Sequence, residues 1–393
     1  MKYIPRSIET MIQRTISRGK SLLLLGPRQT GKTTLIKRMN PDLYISFIVP
    51  DIRQRYEKAP HVLIGEVEAL PRRGGRERPL VIMDEVQKVP GIMDSVQDLI
   101  DRGIADFILT GSSVRKLRRG AKINLLPGRI VTVHSDPFTL QELAAGKLED
   151  RLIYGSLPGI LAVPDLKDRE RDLESYVTTY LEEEVRAEAA VRQLGDFARF
   201  LELAAAESGQ IVNHRKLSQE IGVAHTTIAS YYQILEDCLI VERVEPLTKS
   251  KTRKKLTKSC KYIFFDLGVR RIAAREGIRP PREQWGSFFE QFIGLELIRC
   301  IRALPSQPSR LKFWRDPDGP EVDWVIENPD CLIPIEVKWT ETPQPGDIRH
   351  LQVFLREYPE SREAYVICRA PRKIKLGERI YALPWRHVVD LIG

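Results

Sequence analysis

Residues 26–33 read Gly-Pro-Arg-Gln-Thr-Gly-Lys-Thr, a glycine-rich pattern that ends in a lysine and a threonine. Glycines allow a turn to point several backbone N–H groups at a phosphate, at the start of the helix that follows. Lys32 would then reach the β- and γ-phosphates, and the Thr33 hydroxyl would ligate Mg²⁺. An ordinary glycine turn is the alternative. The pattern predicts a nucleotide site formed by Gly26, Pro27, Arg28, Gln29, Thr30, Gly31, Lys32, Thr33 and Thr34.

Two adjacent acids, Asp84 and Glu85, follow a short apolar run. Asp84 is suited to hold the metal, often through water, and Glu85 is suited to polarise the attacking water as a general base. Paired acids at a strand end can also be merely solvated, but the glycine-rich pattern upstream favours a catalytic role. The sequence contains no Asn-Lys-x-Asp motif for guanine, which favours ATP over GTP.

Ser112 follows a third apolar segment and would lie near the γ-phosphate as a sensor, with Thr110 and Ser113 as competitors for that role. Arg129 could act as an arginine finger in the site of a neighbouring subunit. Other candidates for the finger are Arg115, Arg118 and Arg119. Because arginine is common on protein surfaces, the sequence leaves this choice open.

These motifs need a scaffold, and short apolar runs alternate with helical patterns around them. Strands are predicted at 21–25, 80–84 and 107–110, and amphipathic spacing predicts helices over 8–18 and 32–39. Alternating strands and helices predict a parallel α/β sheet, whose ligands bind beyond the carboxyl ends of the strands. All three polar motifs follow such ends, so we expect them to form one site.

The segment 197–247 has the rhythm of a winged helix-turn-helix. One helix is predicted over His214–Ile221, is ended by Gly222, and is followed by a candidate recognition helix from Ala224 to Leu235. Short polar groups on such a helix reach phosphates or base edges of DNA. The outward-facing residues are predicted to be His225, Thr226, Thr227, Ser230 and Tyr231.

The formal charge of +9 is concentrated, since seven Lys or Arg and no acid lie between Lys249 and Lys261. On the wing of such a motif these cations would neutralise phosphates and give salt-sensitive binding of double-stranded or structured DNA. The predicted contacts are Lys249, Lys251, Arg253, Lys254, Lys255 and Lys258. A winged helix that binds protein, or a lysine-rich loop that is merely solvated, is the alternative.

A β-hairpin is predicted from Glu321 to Trp339. Glu336 and Lys338 are two residues apart and therefore share a face, and Asp323 begins the partner strand. This D…E-x-K layout is that of the restriction-endonuclease-like fold, in which two carboxylates hold Mg²⁺ and the lysine steadies the attacking water. Glu290, on the preceding helix, could add a third carboxylate. Such a domain either cleaves nucleic acid or survives as a binding module.

Several of these motifs together resemble a family of bacterial and archaeal AAA-type ATPases, and the resemblance covers nearly the whole chain. It is carried by Gly26–Thr33, Asp84–Pro90, Leu109–Ser113, Pro127–Arg129, Tyr154–Pro158 and Phe264–Gly268. The resemblance implies a parallel-sheet AAA+ core (1–190), a winged helix-turn-helix (191–278) and a restriction-endonuclease-like domain (279–393). One departure is Pro127, where the family usually has a small residue.

The composition restricts the class of protein and the compartment to which the chain can belong. No apolar run approaches the length of a membrane span, and the amino terminus lacks a signal-peptide core. Five scattered cysteines favour reduced thiols over disulfides or zinc, which predicts a cytoplasmic protein. The sequence thus predicts an oligomeric, ring-forming, Mg²⁺- and ATP-dependent ATPase that remodels or moves on DNA. An ATP-gated DNA-binding regulator and an ATP-licensed metal-dependent nuclease are the alternatives.

Overall fold

The structure is a computed structural model, and the residues that it describes fall into eight ranges. These are 3–71, 76–113, 128–143, 146–181, 194–248, 259–304, 308–316 and 319–392. Some sequence predictions fall on residues outside these ranges. They concern Lys249, Lys251, Arg253, Lys254, Lys255, Lys258, Arg115, Arg118, Arg119 and Pro127.

The amino-terminal part is built around a parallel sheet, which confirms the α/β prediction. Its described strands are β1 (Ser21–Leu25), β2 (Leu43–Ser46), β3 (Leu80–Asp84), β4 (Asp106–Gly111) and β5 (Ile130–His134), in the order β2-β3-β4-β1-β5. Helix α1 (Glu9–Ser17) precedes β1, and α2 (Lys32–Lys37), α3 (Pro50–Lys58), α4 (Val62–Glu68) and α5 (Ile92–Asp101) lie between the strands. Since β4 lies between β1 and β3, the residues after these three strands meet at one edge.

Both faces of this sheet are covered, and this explains why its strands are continuous apolar runs rather than alternating ones. Leu22 and Leu24 pack with α1 and α2 on one face, while Leu23 and Leu25 pack with α5 on the other. Each fully buried leucine contributes about 1.5–3 kcal/mol. Burial on both faces therefore fixes the sheet that carries the polar motifs.

The middle part is mainly helical. Its helices are α6 (Leu148–Tyr154), α7 (Pro158–Leu161), α8 (Leu166–Ser175), α9 (Leu194–Ala206), α10 (His214–Ile221), α11 (His225–Asp237) and α12 (Leu267–Ala273). Strands β6 (Val241–Pro246) and β7 (Lys261–Phe264) form an antiparallel pair. Helix α10 ends at Gly222, which has φ +85°, so the chain turns there into α11. The described residues of 194–264 therefore form helices and an antiparallel strand pair, as the sequence predicts.

The carboxyl-terminal part contains a second sheet. Its elements are α13 (Gln284–Ala303), β8 (Arg310–Arg315), β9 (Glu321–Glu327), β10 (Leu332–Val337), α14 (Arg349–Glu357), β11 (Ala364–Cys368), β12 (Ile374–Lys375) and β13 (Ile380–Pro384). Over the described residues the strand order is β12-β13-β11-β10-β9-β8-β6-β7. The β6–β7 pair of the middle part thus extends this sheet, through Glu245 and Pro246 beside Lys312 and Phe313.

The middle and carboxyl-terminal parts also share one apolar core, which extends from Leu140 to Ile392. The predicted boundary between residues 278 and 279 therefore separates two segments that pack together. Within the ranges that the structure covers, no helix is long and apolar enough to cross a membrane.

Candidate functional site

The glycine-rich loop connects β1 to α2 and depends on backbone conformations that few residues adopt. Gly31 has φ +90°, in the left-handed region that favours glycine, and Gln29 has φ +62°. A Cβ at Gly26 would lie 2.3 Å from the carbonyl oxygen of Ser135, so no other residue fits there without a shift of the backbone. These two glycines therefore fix the shape of the loop.

Lys32 lies inside the loop, where its ammonium group is buried. Its Nζ donates to the carbonyl oxygens of Gly26 at 2.7 Å and Pro27 at 2.8 Å. These two bonds hold the ammonium group against the loop, where a bound phosphate would meet it.

Arg6 anchors the loop from outside, and no sequence pattern pointed to it. Its guanidinium donates to the carbonyl oxygens of Thr30 at 2.7 Å and Asp136 at 2.6 Å. It also forms a buried ion pair with Glu142 at 3.1 Å. Arg6 thereby ties the loop to the chain segment that follows β5.

Asp84 is fully buried at the end of β3, and hydroxyl groups hold both oxygens of its carboxylate. Thr33 donates to Oδ2 at 3.0 Å, and Tyr44 donates to the same oxygen at 3.1 Å. Thr110 donates to Oδ1. Burial and then the charge of Asp84 raise the pKa of Tyr44 to about 12, so this hydroxyl remains a donor at neutral pH.

The two residues predicted to hold the metal, Thr33 and Asp84, are thus in direct contact. A hydroxyl and a carboxylate are the oxygen donors that Mg²⁺ takes in nucleotide sites. The donor set therefore fits Mg²⁺.

Glu85 has φ +60° and ψ +49°, a left-handed conformation that costs a non-glycine residue about 1–2 kcal/mol. Its backbone N–H donates to the Thr110 hydroxyl at 3.0 Å. Its Oε2 accepts from Gln87 and, at 3.2 Å, from the Ser112 hydroxyl. The candidate base and the candidate sensor are therefore bonded to each other. Gln87, which the sequence did not single out, contacts both.

A cavity of about 500 Å³ opens beside these groups. Its lining includes Lys32, Thr33 and Glu85, and Pro158 and Gly159 contribute another wall. This volume is in the range of small-molecule and cofactor sites. The middle part of the chain therefore contributes directly to the candidate nucleotide site.

Two segments that carry the family resemblance meet behind that wall. Asp266 accepts a hydrogen bond at 2.7 Å from the backbone N–H of Ser156. Gly155 has φ +72°, and a Cβ there would lie 1.9 Å from the Asp266 carboxylate. The contact fixes the turn that presents Pro158 to the cavity.

Arg129 lies at the amino ends of the parallel strands, opposite the end that carries the nucleotide site. The next residue, Ile130, pairs with Ser21 at the amino end of β1, whereas the glycine-rich loop follows the carboxyl end. Arg129 forms an exposed ion pair with Asp101 of the same chain. It is therefore remote from this chain's own nucleotide site, and its role as a finger for a neighbouring subunit stays a prediction.

A second polar site, here called the carboxylate cluster, consists of Glu290, Asp323 and Glu336 with Lys261 and Lys338. In the β9–β10 pair Asp323 accepts from the backbone N–H of Val337 at 2.8 Å, and Lys338 donates to Glu336 at 2.7 Å. Burial, followed by the charges of Glu290 and Glu336, raises the pKa of Asp323 well above its ordinary value. The four residues predicted from the D…E-x-K layout are therefore neighbours.

Lys261 was missed by sequence reasoning, which assigned it only to the basic stretch before β7. Its Nζ is buried, bonds Glu290 Oε1 at 2.8 Å, and lies 4.7 Å from the centre of a Trp324 ring. Burial opposes its charge, but Glu290 and Asp323 outweigh this effect and raise the pKa of Lys261. Glu290 is thus already paired with a cation.

Asp323 and Glu336 are the carboxylates of the cluster that remain to hold a divalent ion. Glu336 Oε2 is buried with no hydrogen-bond partner among the described residues. Mg²⁺ is commonly held by one or two carboxylates, so Asp323 and Glu336 fit it as a pair. Across the ranges that the structure describes, no group of three or more His, Cys, Asp or Glu is arranged to hold a metal. Glu290 is therefore not placed as a third ligand.

The candidate recognition helix α11 presents a polar surface. His225, Thr226 and Ser230 are exposed and Thr227 is half-buried. Tyr231 is a correction, since the sequence placed it outward and it is only 7% exposed.

The Tyr231 ring packs against Phe197 at 4.9 Å and Phe200 at 5.2 Å between ring centres. Its burial follows from helical spacing, because position 231 lies on the same face as 228 and 235.

Comparisons with known proteins support the prediction of a nucleotide-binding domain. The sequence model of an AAA domain matches residues 18–144, and models of two domains of unknown function, DUF8612 and DUF4143, match residues 145–280 and 285–388. Uncharacterised proteins of Mycobacterium tuberculosis and Mycobacterium bovis are each 26% identical over 388 residues, which is 96% of this chain and 83% of theirs.

Among solved structures, the chain is similar to a DNA clamp loader delta protein of Bacillus subtilis and to a protein of Vibrio cholerae. The first is 12% identical with a TM-score of 0.26, and the match covers 58% of this chain and 87% of that one. The second is 14% identical with a TM-score of 0.21, and covers 89% and 96%. Such low scores carry no argument about function. The AAA-domain match covers residues 18–144, and the parallel sheet of that segment is consistent with a P-loop AAA-like core.

Proposed function

We propose that this chain hydrolyses ATP with Mg²⁺ and, as an oligomer, uses the reaction to remodel or move on DNA. The observation that carries the ATPase assignment is the contact of Thr33 with Asp84 beside the Glu85–Ser112 pair, all at one edge of the parallel sheet. A cavity of nucleotide size adjoins these groups. The proposal places this ATPase in the cytoplasm.

The chain's own groups can perform each task of hydrolysis. Lys32 would exchange the carbonyl oxygens of the loop for phosphate oxygens, and Thr33 and Asp84 would hold Mg²⁺, which neutralises phosphate charge when bound. Glu85 would accept a proton from the water that attacks the γ-phosphorus, while the bond to the oxygen of ADP breaks. Ser112, hydrogen-bonded to Glu85, would orient this carboxylate.

The decisive test of this assignment is ATP turnover by Glu85→Gln. Loss of the base should lower turnover at least about 100-fold while ATP binding persists, so that ATP-bound assemblies accumulate. Glu57→Gln is a matched control, because Glu57 is a half-exposed glutamate on α3. Full turnover by Glu85→Gln would refute the role of Glu85.

The DNA-binding part of the proposal is supported by the exposed face of α11 and its approach from α10 through the Gly222 turn. The basic stretch 249–258 follows β6 in the sequence and would contact phosphates. Reversing the charges of Lys254 and Lys255 should weaken duplex binding and flatten its salt dependence. Unchanged duplex binding would refute the assignment of DNA binding to this stretch.

A second candidate function is an ATP-gated DNA-binding regulator. The bonds from Gln87 and Ser112 to Glu85 favour it, because a base held by two donors is less able to accept a proton. DNA-stimulated turnover with strand displacement would support the motor, whereas slow turnover that DNA leaves unchanged would support the regulator.

A third candidate is an ATP-licensed nuclease, favoured by the proximity of Asp323, Glu336 and Lys338. Mg²⁺- or Mn²⁺-dependent nicking of plasmid DNA that is lost in Glu336→Ala and Lys338→Ala would support it. Absence of nicking by the unmodified protein would leave the cluster as a binding module.

A further inference from the structure

A groove of about 930 Å³ runs between the amino ends of α10 and α11 and the second sheet. Three arginines from three different elements line it: Arg215 from α10, Arg243 from β6 and Arg315 from β8. His214 and His225 also line it, and none of the described lining residues is acidic. The groove therefore concentrates positive charge where two parts of the chain meet.

The arginines are available to a bound anion. Arg243 lies 3.6 Å from Glu245, and Arg315 bonds Glu321 at 2.7 Å, and in both pairs each side chain is more than a third exposed. Exposed pairs of this kind contribute about 0–1 kcal/mol. A phosphate in the groove can therefore replace these partners at little cost.

The floor of the groove contains stacked rings. The Tyr262 ring stacks on Tyr232 with 4.2 Å between centres, and His214 stacks on Tyr232 at 5.7 Å. Tyr232 is fully buried, so it supports the two half-buried rings that line the groove. Rings beside a basic track form the arrangement on which bases of a single strand stack without sequence preference.

The groove continues toward the carboxylate cluster. A second, smaller cavity shares Gln210, Ile211 and Arg315 with the groove. Its other lining residues include Lys261, Glu290 and Asp323. A strand that follows the arginines to Arg315 would therefore lie beside this cavity of about 70 Å³, which acids of the cluster line.

We infer that this groove binds single-stranded DNA, with phosphates on Arg215, Arg243 and Arg315 and a base against Tyr262, and directs the strand to Asp323. The inference rests on the proposed DNA binding and adds a second surface to it. The rings of the groove can stack on the unpaired bases of a single strand, whereas the bases of a duplex are already stacked on one another. A duplex would instead contact the exposed face of α11.

The test is fluorescence anisotropy of a short labelled oligothymidylate with the full-length chain. Arg243→Ala and Arg315→Ala should each weaken binding about tenfold, as loss of a charge-assisted contact does. Each should also reduce the slope of log affinity against log salt by about 0.7. Lys216→Ala is the matched control, since Lys216 is exposed on α10, pairs with Glu207 and does not line the groove.

Cross-linking gives a readout that does not depend on charge. An oligonucleotide containing 4-thiothymidine should form an adduct with Tyr262 or His214 on irradiation, identified by mass spectrometry. Adducts confined to residues 249–258 or to Thr226 and Ser230 of α11 would overturn the inference. Equal weakening by Lys216→Ala and Arg315→Ala would also overturn it.

Duplex binding separates this inference from the proposed function. Thr226→Glu places a negative charge on the exposed face of α11 and should weaken duplex binding while single-strand binding persists. If the arginine variants leave single-strand binding intact while duplex binding and ATP turnover remain, the groove inference alone fails. If groove-dependent single-strand binding persists but no duplex binding exists, the assignment of α11 alone fails.

Discussion

The nucleotide site and the carboxylate cluster both combine acids with lysines, but they treat the charges differently. In the nucleotide site, carbonyl oxygens hold Lys32 and hydroxyl groups hold Asp84. In the cluster, Lys261 and Lys338 bond directly to Glu290 and Glu336. Hydroxyl groups orient the charge of Asp84 and leave it for a metal ion, whereas ion pairs cancel charges within the cluster. The acid of the first site is therefore prepared for a cation, and the second site is largely neutralised from within.

The largest expected effect concerns the lysine of the nucleotide site. Lys32→Ala should lower ATP turnover at least about 100-fold, because the bound phosphates lose a preorganised positive donor. Turnover and binding of a fluorescent ATP analogue would be measured together. Lys37→Ala is the control, since Lys37 is exposed on the same helix. Equal turnover in the two variants would mean that phosphate is not held in the loop.

The next effect tests whether Lys261 neutralises the cluster. Lys261→Met should lower the free energy of unfolding by about 3 kcal/mol. The substitution leaves the carboxylate of Glu290, which is mostly buried, without the cation that neutralises it. Lys216→Met is the control, because the exposed Lys216 bonds Glu207 at 2.7 Å and such a pair contributes less than about 1 kcal/mol. Urea unfolding would measure both.

The double variant Lys261→Met/Glu290→Gln removes the charges of both partners and should regain part of the lost stability. If the double variant is as unstable as the sum of its single changes, the two residues are not coupled. The cluster would then not be neutralised in the way that the comparison requires.

The sequence predicted the parallel sheet and the ends of its strands because these depend on local apolar runs. The contacts that complete the sites are long-range and leave no local pattern. Arg6 reaches Thr30 and Lys261 reaches Glu290 across 24 and 29 positions of the chain. Tyr231 is different, since its helical spacing from Ile228 did indicate burial and the prediction of an outward side chain was wrong. The share of β6 and β7 in the second sheet likewise depends on a distant partner, β8.

A smaller effect concerns the pH dependence of the cluster. The pKa of Asp323 is raised in the folded chain, so its protonation stabilises the fold below its ordinary pKa, and this contribution is lost as pH rises through the folded value. At neutral pH the unfolded chain ionises this carboxyl group more readily than the folded chain does, so Asp323 costs stability there. Asp323→Asn should raise the free energy of unfolding there by at least about 1 kcal/mol.

The gain in Asp323→Asn should shrink as pH falls below the raised pKa, because the unmodified carboxyl group is then also neutral. Urea unfolding across the acidic range would show this convergence. A gain of the same size at all pH values would mean that the charge of Asp323 is not its source.

The smallest effect is expected at Tyr44, which holds the acid of the nucleotide site. Tyr44→Phe removes one donor to Asp84, but Thr33 and Thr110 remain bonded to the carboxylate. The expected loss is about 1 kcal/mol of stability and a few-fold change in the Mg²⁺ dependence of ATP turnover. Tyr56→Phe is the control, because Tyr56 on α3 donates to Glu66 on α4 and to neither site.

The pH profile of the Tyr44 effect makes the comparison sharper. Its pKa of about 12 keeps the hydroxyl protonated through the neutral and mildly alkaline range, so the effect of Tyr44→Phe should be constant there. The effect at Asp323 should vary with pH, because a charge and not a neutral donor is removed. A Tyr44 effect that follows the same titration as Asp323 would show that both sites store charge in the same way, and the contrast between them would not hold.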